Sequence, residues 1–172
     1  ALIDDPDETV RLQIALRLPL TQLERLLHDP HREVRLRVAQ RLEPAQLAAL
    51  RNDPDYGVRE RVAQRLPLAL LPTLMHDPER TVRAQVAQRL AMPALLGLAG
   101  DPEPEVRRIV AERLPAPLLG RLAHDTDWRV RWEVARRADA ALLPTLGEDT
   151  DEEVRAMAAH RLAGREHGAI HG

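Results

Sequence analysis

The feature of this sequence that most constrains its fold is a 24-residue repeat that occurs seven times without an insertion. The copies start at the aspartates of positions 5, 29, 53, 77, 101, 125 and 149. If that aspartate is position 0 of the repeat, every copy has Val at position 5, Arg at positions 6 and 12, and Ala at position 10. Every complete copy also has Leu at positions 18 and 21. Self-similarity at such a period is the sequence signature of a repeat array.

Each copy contains its own signals for a helix and a turn. Asp followed by Pro, as in Asp29-Pro30, predicts an N-cap with proline at the first helical position. Apolar residues at positions 5, 9 and 13 form a helical stripe. Proline at position 14 (Pro19, Pro67, Pro115) predicts that the helix ends after about 13 residues. The two leucines that follow are three residues apart, a spacing that favours a short 3₁₀-helix.

One repeat cannot bury its own apolar stripe, whereas stacked neighbours can. We therefore predict an all-α solenoid of seven 24-residue repeats over residues 1–163. In this fold, α-helices alternate with short 3₁₀-helices, and no β-sheet is present. The glycine-containing segment 164–172 is predicted to be a disordered C-terminal tail.

The composition excludes several classes of site and partner. The chain has no Cys, so it can form no disulfide, thiolate metal site or cysteine nucleophile of its own. A formal net charge of −2 gives no overall attraction to nucleic acid or anionic lipid. No apolar run approaches the roughly 18 residues of a membrane span, and no signal peptide is visible. We therefore predict a soluble, cytoplasmic bacterial protein.

Catalytic, cofactor and metal sites are not predicted in this chain. It has no Ser or Cys nucleophile, glycine-rich phosphate loop or HExxH motif, so we predict that it is not an enzyme. His28, His76 and His124 recur 48 residues apart at position 23, too far apart for one metal ion, and are interpreted as turn residues. A loose C-terminal set, for which no native metal site is predicted, comprises His160, His167 and His171.

The fixed positions of the repeat resemble those of a known family. The pattern D-P-x-x-x-V-R-x-x-V-A-x-R-L-P-x-x-x-L-x-x-L, seen from Asp53 through Leu74, resembles the leucine-rich repeat variant family, and the likeness extends over residues 2–163. It implies a right-handed superhelix of α- and 3₁₀-helices. The segment that begins at the aspartate is also similar to the second helix of HEAT-type repeats, so a HEAT-like fold is the alternative.

The family resemblance also bears on a cofactor. Members can carry an N-terminal iron–sulfur module ligated by cysteines, which implies a role accessory to such a redox module. This chain has no Cys, so no cofactor is expected within it. Leu2 falls at position 21 of a repeat, and we expect that a further repeat or such a module precedes Ala1.

Two rows of arginine flank the apolar stripe at positions 6 and 12. We interpret them as structural: the stems lie along the buried face, and each guanidinium reaches the position 0 aspartate of its own or the next repeat. The alternative is a row of phosphate contacts. The residues of this predicted ladder are Asp29, Asp53, Asp77 and Asp101 with Arg35, Arg59, Arg83, Arg107, Arg41, Arg65, Arg89 and Arg113.

Positions 3, 7 and 11, with position 8 beside them, point away from the stripe and vary between copies. The candidates for partner binding on this face are Tyr56, Arg80, Arg108, Trp128 and Trp132. Trp, Tyr and Arg dominate the energetics of protein interfaces, so a protein partner is favoured, although its identity is not predicted. For the tryptophans a second reading stays open, in which Trp132 covers a packing gap near Ala138.

A HEAT-like nucleic-acid-binding protein is the alternative function. The outward positions of all seven repeats hold six Arg against five Glu, a weak electrostatic signal for nucleic acid. We therefore predict a non-catalytic scaffold that presents an extended surface for protein–protein interaction, without membrane contact.

Overall fold

The computed structural model describes the backbone of residues 2–169 and the side chains of residues 2–164. Its α-helices are α1 (Glu8–Arg17), α2 (Arg32–Arg41), α3 (Tyr56–Arg65), α4 (Arg80–Arg89), α5 (Pro104–Arg113), α6 (Trp128–Arg137), α7 (Leu143–Leu146) and α8 (Glu152–Ala169). The 3₁₀-helices are Leu2–Asp4, Leu20–Leu26, Pro44–Leu50, Leu71–Leu74, Ala94–Leu98 and Ala116–Leu122. Residues 2–169 contain no β-strand. The all-α alternation of α- and 3₁₀-helices is confirmed.

The helices α1 to α6 each span ten residues, from position 3 to position 12, and are shorter than predicted. In α3 the last helical hydrogen bond runs from the Leu66 N–H to the Val62 carbonyl, 2.7 Å long. Leu66 itself has φ −54° and ψ 141° and has left the helical region. Pro67 follows it, and the residue before a proline is driven out of the α conformation, so the helix ends before position 13.

The N-cap is at position 2 of the repeat, so the prediction that the position 0 aspartate caps the helix is wrong. In α3 the Oδ1 atom of Asp55 accepts hydrogen bonds from the N–H groups of Gly57 and Val58 at 2.9 and 3.2 Å. The earlier Asp53 instead accepts the Asp55 N–H at 2.9 Å, which closes an Asx-turn before the helix. Pro54 therefore lies outside the helix.

The core is the predicted one. On α3, Val58, Val62 and Leu66 at positions 5, 9 and 13 are fully buried. The leucines at positions 18 and 21, here Leu71 and Leu74, are buried in the 3₁₀-helix that follows. Aliphatic side chains of both halves of the repeat thus supply its apolar interior.

The chain divides into two compact units, Ala1–Leu90 and Ala91–Gly172. In the first unit, α1 packs on α2, α2 on α3 and α3 on α4, and each of α2, α3 and α4 also packs on the 3₁₀-helix before it. In the second unit, α5 packs on α6, and both α6 and the short α7 pack on α8. Each unit therefore buries its apolar stripes between neighbouring repeats.

The last helix is longer than the others and runs to Ala169. Position 14 of this repeat is Ala163 and not proline, but α4 ends at Arg89 although Ala91 holds the same position, so the missing proline alone does not account for the extra length. Residues 164–169, which the sequence assigns to a disordered tail, continue the helix. Residues 170–172 lie outside the described part of the chain.

Candidate functional site

Within each of the two units, arginines of position 6 join a repeat to the next one. The Nε atom of Arg35 donates to the Oδ2 atom of Asp53 at 2.7 Å, and its Nη2 atom donates to Oδ1 at 3.0 Å. Its Nη1 atom donates to the carbonyl of Asp29, in its own repeat, at 2.8 Å. The same forked pair is formed by Arg11 with Asp29, Arg59 with Asp77, Arg107 with Asp125 and Arg131 with Asp149.

These ion pairs are shielded from water. The side chains of Arg35 and Asp53 are 10% and 3% exposed. The pKa of the Asp149 carboxyl is lowered chiefly by its hydrogen bond from Arg131, although partial burial opposes the shift. The pKa of the Arg131 guanidinium is raised by the same hydrogen bond. Both groups are therefore held in their charged forms.

The arginine of position 12 has a different partner from the one predicted. Arg65 donates from Nη1 to the carbonyl of Ala39 at 2.8 Å and from Nη2 to the carbonyl of Leu42 at 2.9 Å. These carbonyls belong to the C-terminal end of α2, whose last carbonyls lack helical partners. Arg41 and Arg89 make the same pair of contacts to the helix before theirs. Arg41, Arg65 and Arg89 thus cap the preceding helix through its carbonyls, where a carboxylate partner was predicted.

Three other residues of the predicted ladder are placed as follows. Arg83 donates to the carbonyls of Asp77 and Pro78 at 2.8 and 3.2 Å, as the other position 6 arginines do. Asp101 accepts the Glu103 N–H at 2.9 Å. Arg113 is the last residue of α5. Within each unit, the arginine rows thus serve packing and capping, and their guanidinium groups are directed at protein oxygens.

A surface cleft of about 370 Å³ lies among α5, α6 and α8 in the second unit. Its lining brings together three of the five predicted partner-binding residues: Arg108, Trp128 and Trp132. Trp128 is the first residue of α6 and Trp132 follows one turn later on the same side, so the helix itself places both indoles at the cleft. Both tryptophans are half-buried.

The rest of the cleft lining is charged, and sequence reasoning did not single it out: Arg129, Glu133 and Glu153. The guanidinium carbon of Arg129 lies 4.9 Å from the ring centroid of Trp128, which is a cation–π contact. Glu133 is only 3% exposed and its Oε2 atom accepts a hydrogen bond from Arg136 Nε at 3.0 Å. Glu153 comes from the first turn of α8.

The remaining two candidates lie in the first unit. Tyr56 is the first residue of α3 and is 50% exposed, and Arg80 is the exposed first residue of α4. They occupy position 3 of their repeats, as Trp128 does in its own. Arg108 makes a short ion pair with Glu112, one turn later on α5.

The described part of the chain offers no candidate metal site. Residues 2–164 contain no cluster of three or more His, Asp or Glu side chains that could hold a metal ion. His28, His76 and His124 are exposed, as is His160 on α8, while the side chains of His167 and His171 lie outside the described residues. Without any Cys, the chain does not fit a cysteine-ligated iron–sulfur cluster.

No helix in the described part of the chain is both long enough and apolar enough to cross a bilayer.

Comparison with known proteins identifies relatives of this repeat. Residues 56–79 and 104–127 match the sequence profile of a family described as leucine rich repeat variant. A solved structure described as "a leucine-rich repeat variant with a novel repetitive protein structural motif" is 47% identical, with a TM-score of 0.89 over 93% of this chain and 68% of that one. The X-ray structure of the Escherichia coli protein YibA is 20% identical, with a TM-score of 0.51 over 90% of this chain and 74% of that one, and supports the fold alone. No curated protein gives a significant match.

Proposed function

This chain belongs to the leucine-rich repeat variant family, and we propose that it is a non-catalytic repeat scaffold that binds a protein partner. The observation that supports this proposal is the cleft of α5, α6 and α8, where Trp128 and Trp132 remain half-exposed beside charged side chains. Large amphipathic side chains at the surface are typical of interface hot spots. The repeat framework holds these side chains at fixed spacing.

The energetics of the cleft agree with a protein partner. The two indoles supply apolar surface that is in contact with water in the isolated chain. Burying that surface against a partner contributes about 25 cal/mol of favourable free energy per Å² of apolar area. Charged side chains, among them Arg108 and Glu153, line the cleft beside the indoles, and rim charges contribute more to partner selection than to affinity. An apolar centre with a charged rim is the usual anatomy of a protein interface.

Nucleic-acid binding receives less support from the same contacts. The arginines of positions 6 and 12 in α2 and α3 donate to aspartates or carbonyls of neighbouring repeats, as Arg35 and Arg65 illustrate. A phosphate row built from them would have to break these bonds. Cytoplasmic localisation and an accessory role beside an iron–sulfur module remain predictions, and any such cluster would need ligands outside this chain.

The test compares partner capture by three forms of the chain. The wild type, a Trp128→Ala/Trp132→Ala variant and a Leu68→Ala/Leu70→Ala control are used as affinity baits with cross-linking, after circular dichroism has verified that all three are folded. The control removes exposed apolar side chains far along the sequence from the cleft. We expect a protein captured by the wild type and the control to be lost with the tryptophan variant.

Equal recovery of that protein by all three forms would contradict the proposal. A second arm measures binding to duplex DNA as a function of salt. Micromolar affinity that collapses between low and moderate salt, and is lost in Arg80→Gln/Arg108→Gln, would favour the nucleic-acid function instead.

A further inference from the structure

The charges at the cleft are mostly compensated within the chain. Arg108 pairs with Glu112, and Arg136 pairs with Glu133 at 2.5 Å. Arg129 lies over the Trp128 ring and 3.6 Å from an oxygen of Asp127. These groups can remain satisfied when no partner is present.

Glu153 is the exception in the lining of the cleft. Its backbone N–H donates to Asp151, but among the described residues its carboxylate has no ion-pair partner. The cleft therefore carries one negative charge that is not compensated by a neighbouring cation. In the shallow, partly apolar surroundings of the two indoles, that charge favours a positively charged group of a partner.

The aromatic side chains indicate what kind of cation fits. Arg129 already places a guanidinium 4.9 Å from the centroid of Trp128, so an indole of this cleft accepts a planar cation. Trp132 contributes a second indole to the same lining, and within the described residues no cation lies over it. An indole face and a free carboxylate are thus available together at one site.

We infer that the cleft binds an arginine side chain of the protein partner, with the guanidinium against Trp132 and the Glu153 carboxylate as its hydrogen-bond acceptor. This inference rests on the proposed function and specifies the chemistry of the partner. Arginine is preferred to lysine because its planar guanidinium can stack on an indole and donate two parallel hydrogen bonds to one carboxylate. The cleft volume of about 370 Å³ is sufficient for an arginine side chain.

The experiment uses the full chain and its own fluorescence. Trp128 and Trp132 are the two tryptophans of the sequence, so tryptophan emission reports on the cleft alone. The probe is an acetylated and amidated Gly-Gly-Arg-Gly-Gly peptide, compared with peptides in which citrulline or lysine replaces the arginine. Citrulline keeps the size and planarity of arginine but is uncharged.

We expect a saturable change in emission with the arginine peptide, and at least about fivefold weaker binding of the citrulline peptide, because a cation–π contact and an exposed ion pair are both lost. Lysine is expected to fall between them. Equal binding of arginine and citrulline peptides, or no saturable change up to about 20 mM arginine peptide, would overturn the inference.

A pair of charge-matched variants separates the cleft from general electrostatics. Glu153→Gln is expected to weaken binding of the arginine peptide about threefold to fivefold, the upper part of the range for losing one exposed ion pair. Glu152→Gln removes the same charge from the adjacent residue, which is exposed but does not line the cleft, and should leave binding unchanged. Equal weakening in both variants would contradict a specific role for Glu153.

The outcomes also separate this inference from the proposed function. Loss of the captured protein in the Trp128→Ala/Trp132→Ala variant, together with no preference for arginine over citrulline, refutes the arginine site and leaves the protein-binding scaffold standing. If the arginine peptide is preferred but the Trp128→Ala/Trp132→Ala variant captures the protein as well as the wild type does, the cleft is not the partner interface. The inference that the partner supplies the arginine is then refuted as well.

Discussion

The ion pair between position 6 and position 0 shows how one residue can serve two repeats. Arg35 binds both oxygens of Asp53 in the next repeat and the carbonyl of Asp29 in its own. Asp53 in turn accepts the N–H of Asp55, which fixes the turn before α3. The Nε, Nη1 and Nη2 atoms of Arg35 all donate hydrogen bonds to oxygen atoms of the protein. These hydrogen bonds offset the free-energy cost of burying the two charges.

Removing one member of this pair should be more damaging than removing both. We expect Arg35→Met to lower the free energy of unfolding by about 3–5 kcal/mol, because it leaves the buried Asp53 carboxylate uncompensated. Adding Asp53→Asn removes that charge while keeping an acceptor for the Asp55 N–H. The double variant should therefore be more stable than the sum of the single changes implies, by about 1–3 kcal/mol. Urea unfolding at neutral pH measures the cycle, and strict additivity would contradict the coupling.

The Asp149 carboxylate, which pairs with Arg131, makes stability depend on pH in a defined direction. The pKa of Asp149 is lowered in the folded state, chiefly by the hydrogen bond from Arg131. Its contribution to stability is therefore complete above the unfolded pKa of about 3.9 and is lost as the pH falls through the lower, folded value. We expect the free energy of unfolding to be steady from about pH 7 to pH 5 and to fall below about pH 4.

The control for this pH dependence is Asp149→Asn, which has no carboxyl at that position to titrate. Its free energy of unfolding should decline less steeply below pH 4 than that of the wild type. Chemical unfolding of both proteins at each pH measures the difference. If the free energies of unfolding of the two proteins decline in parallel, this ion pair contributes nothing to the acid sensitivity.

At the scale of the elements, α3 shows how an α-helix of this array is fixed at its two ends by different devices. Its N-terminus is capped by Asp55, at position 2 of its own repeat, as α1 and α6 are capped by Asp7 and Asp127. Its C-terminus is capped from outside, since Arg89 of α4 binds the carbonyls of Ala63 and Leu66. A ten-residue helix is marginal in isolation, so both caps and the packing of its apolar stripe are needed to hold it.

The position of the N-cap can be tested directly. Asp55→Ala should lower the free energy of unfolding by about 1 kcal/mol, because two N–H groups of the first turn of α3 lose their acceptor. Asp55→Asn keeps an acceptor and should change it by only a few tenths, since the 3.5 Å contact to Arg32 is an exposed ion pair of small value. Thermal unfolding of the two variants distinguishes these expectations, and equal losses would argue against Asp55 as the cap.

The helices illustrate which parts of the structure the sequence could predict. The stripe of Val58, Val62 and Leu66 is periodic within one repeat, so local reading predicts α3 and its core. The sequence also predicts that Asp53 lies opposite a position 6 arginine of its own or a neighbouring repeat, and Arg35 of the preceding repeat is that arginine. What failed is the cap: the Asp-Pro pair signals an N-cap locally, but the side chain that accepts from the first turn of α3 is Asp55, two residues later.

The cleft could be predicted only in part. The tryptophans were found because their spacing within α6 places them on one side of a single helix. Glu153 was missed because it enters from α8, one repeat later. It holds position 4 of its repeat, as Arg129 does, so comparing equivalent positions of adjacent copies is the signal that would have found it.

At the scale of the whole molecule, stability is expected to be distributed over neighbouring repeats and not over one shared core. In the first unit α1, α2 and α3 each pack on the helix of the next repeat, and α4 also packs on the 3₁₀-helix Leu71–Leu74. Arrays with such contacts behave as a sum of repeat stabilities and nearest-neighbour interfaces. A defect in one repeat should therefore be felt most by the helices beside it.

Leu74→Ala tests this expectation. Leu74 is 3% exposed between α3 and α4, and its truncation should lower the free energy of unfolding by about 2–5 kcal/mol. Hydrogen exchange of the backbone amides should accelerate most in α3 and α4 and least in α6 and α8, because local opening spreads through adjacent interfaces before distant ones. The exposed neighbour Thr73→Ala is the control and should leave the exchange pattern nearly unchanged. Uniform acceleration from α1 to α8 would instead mean that the chain unfolds as one cooperative block, and a partner bound at the cleft of α6 would then stabilise the first unit as much as the second.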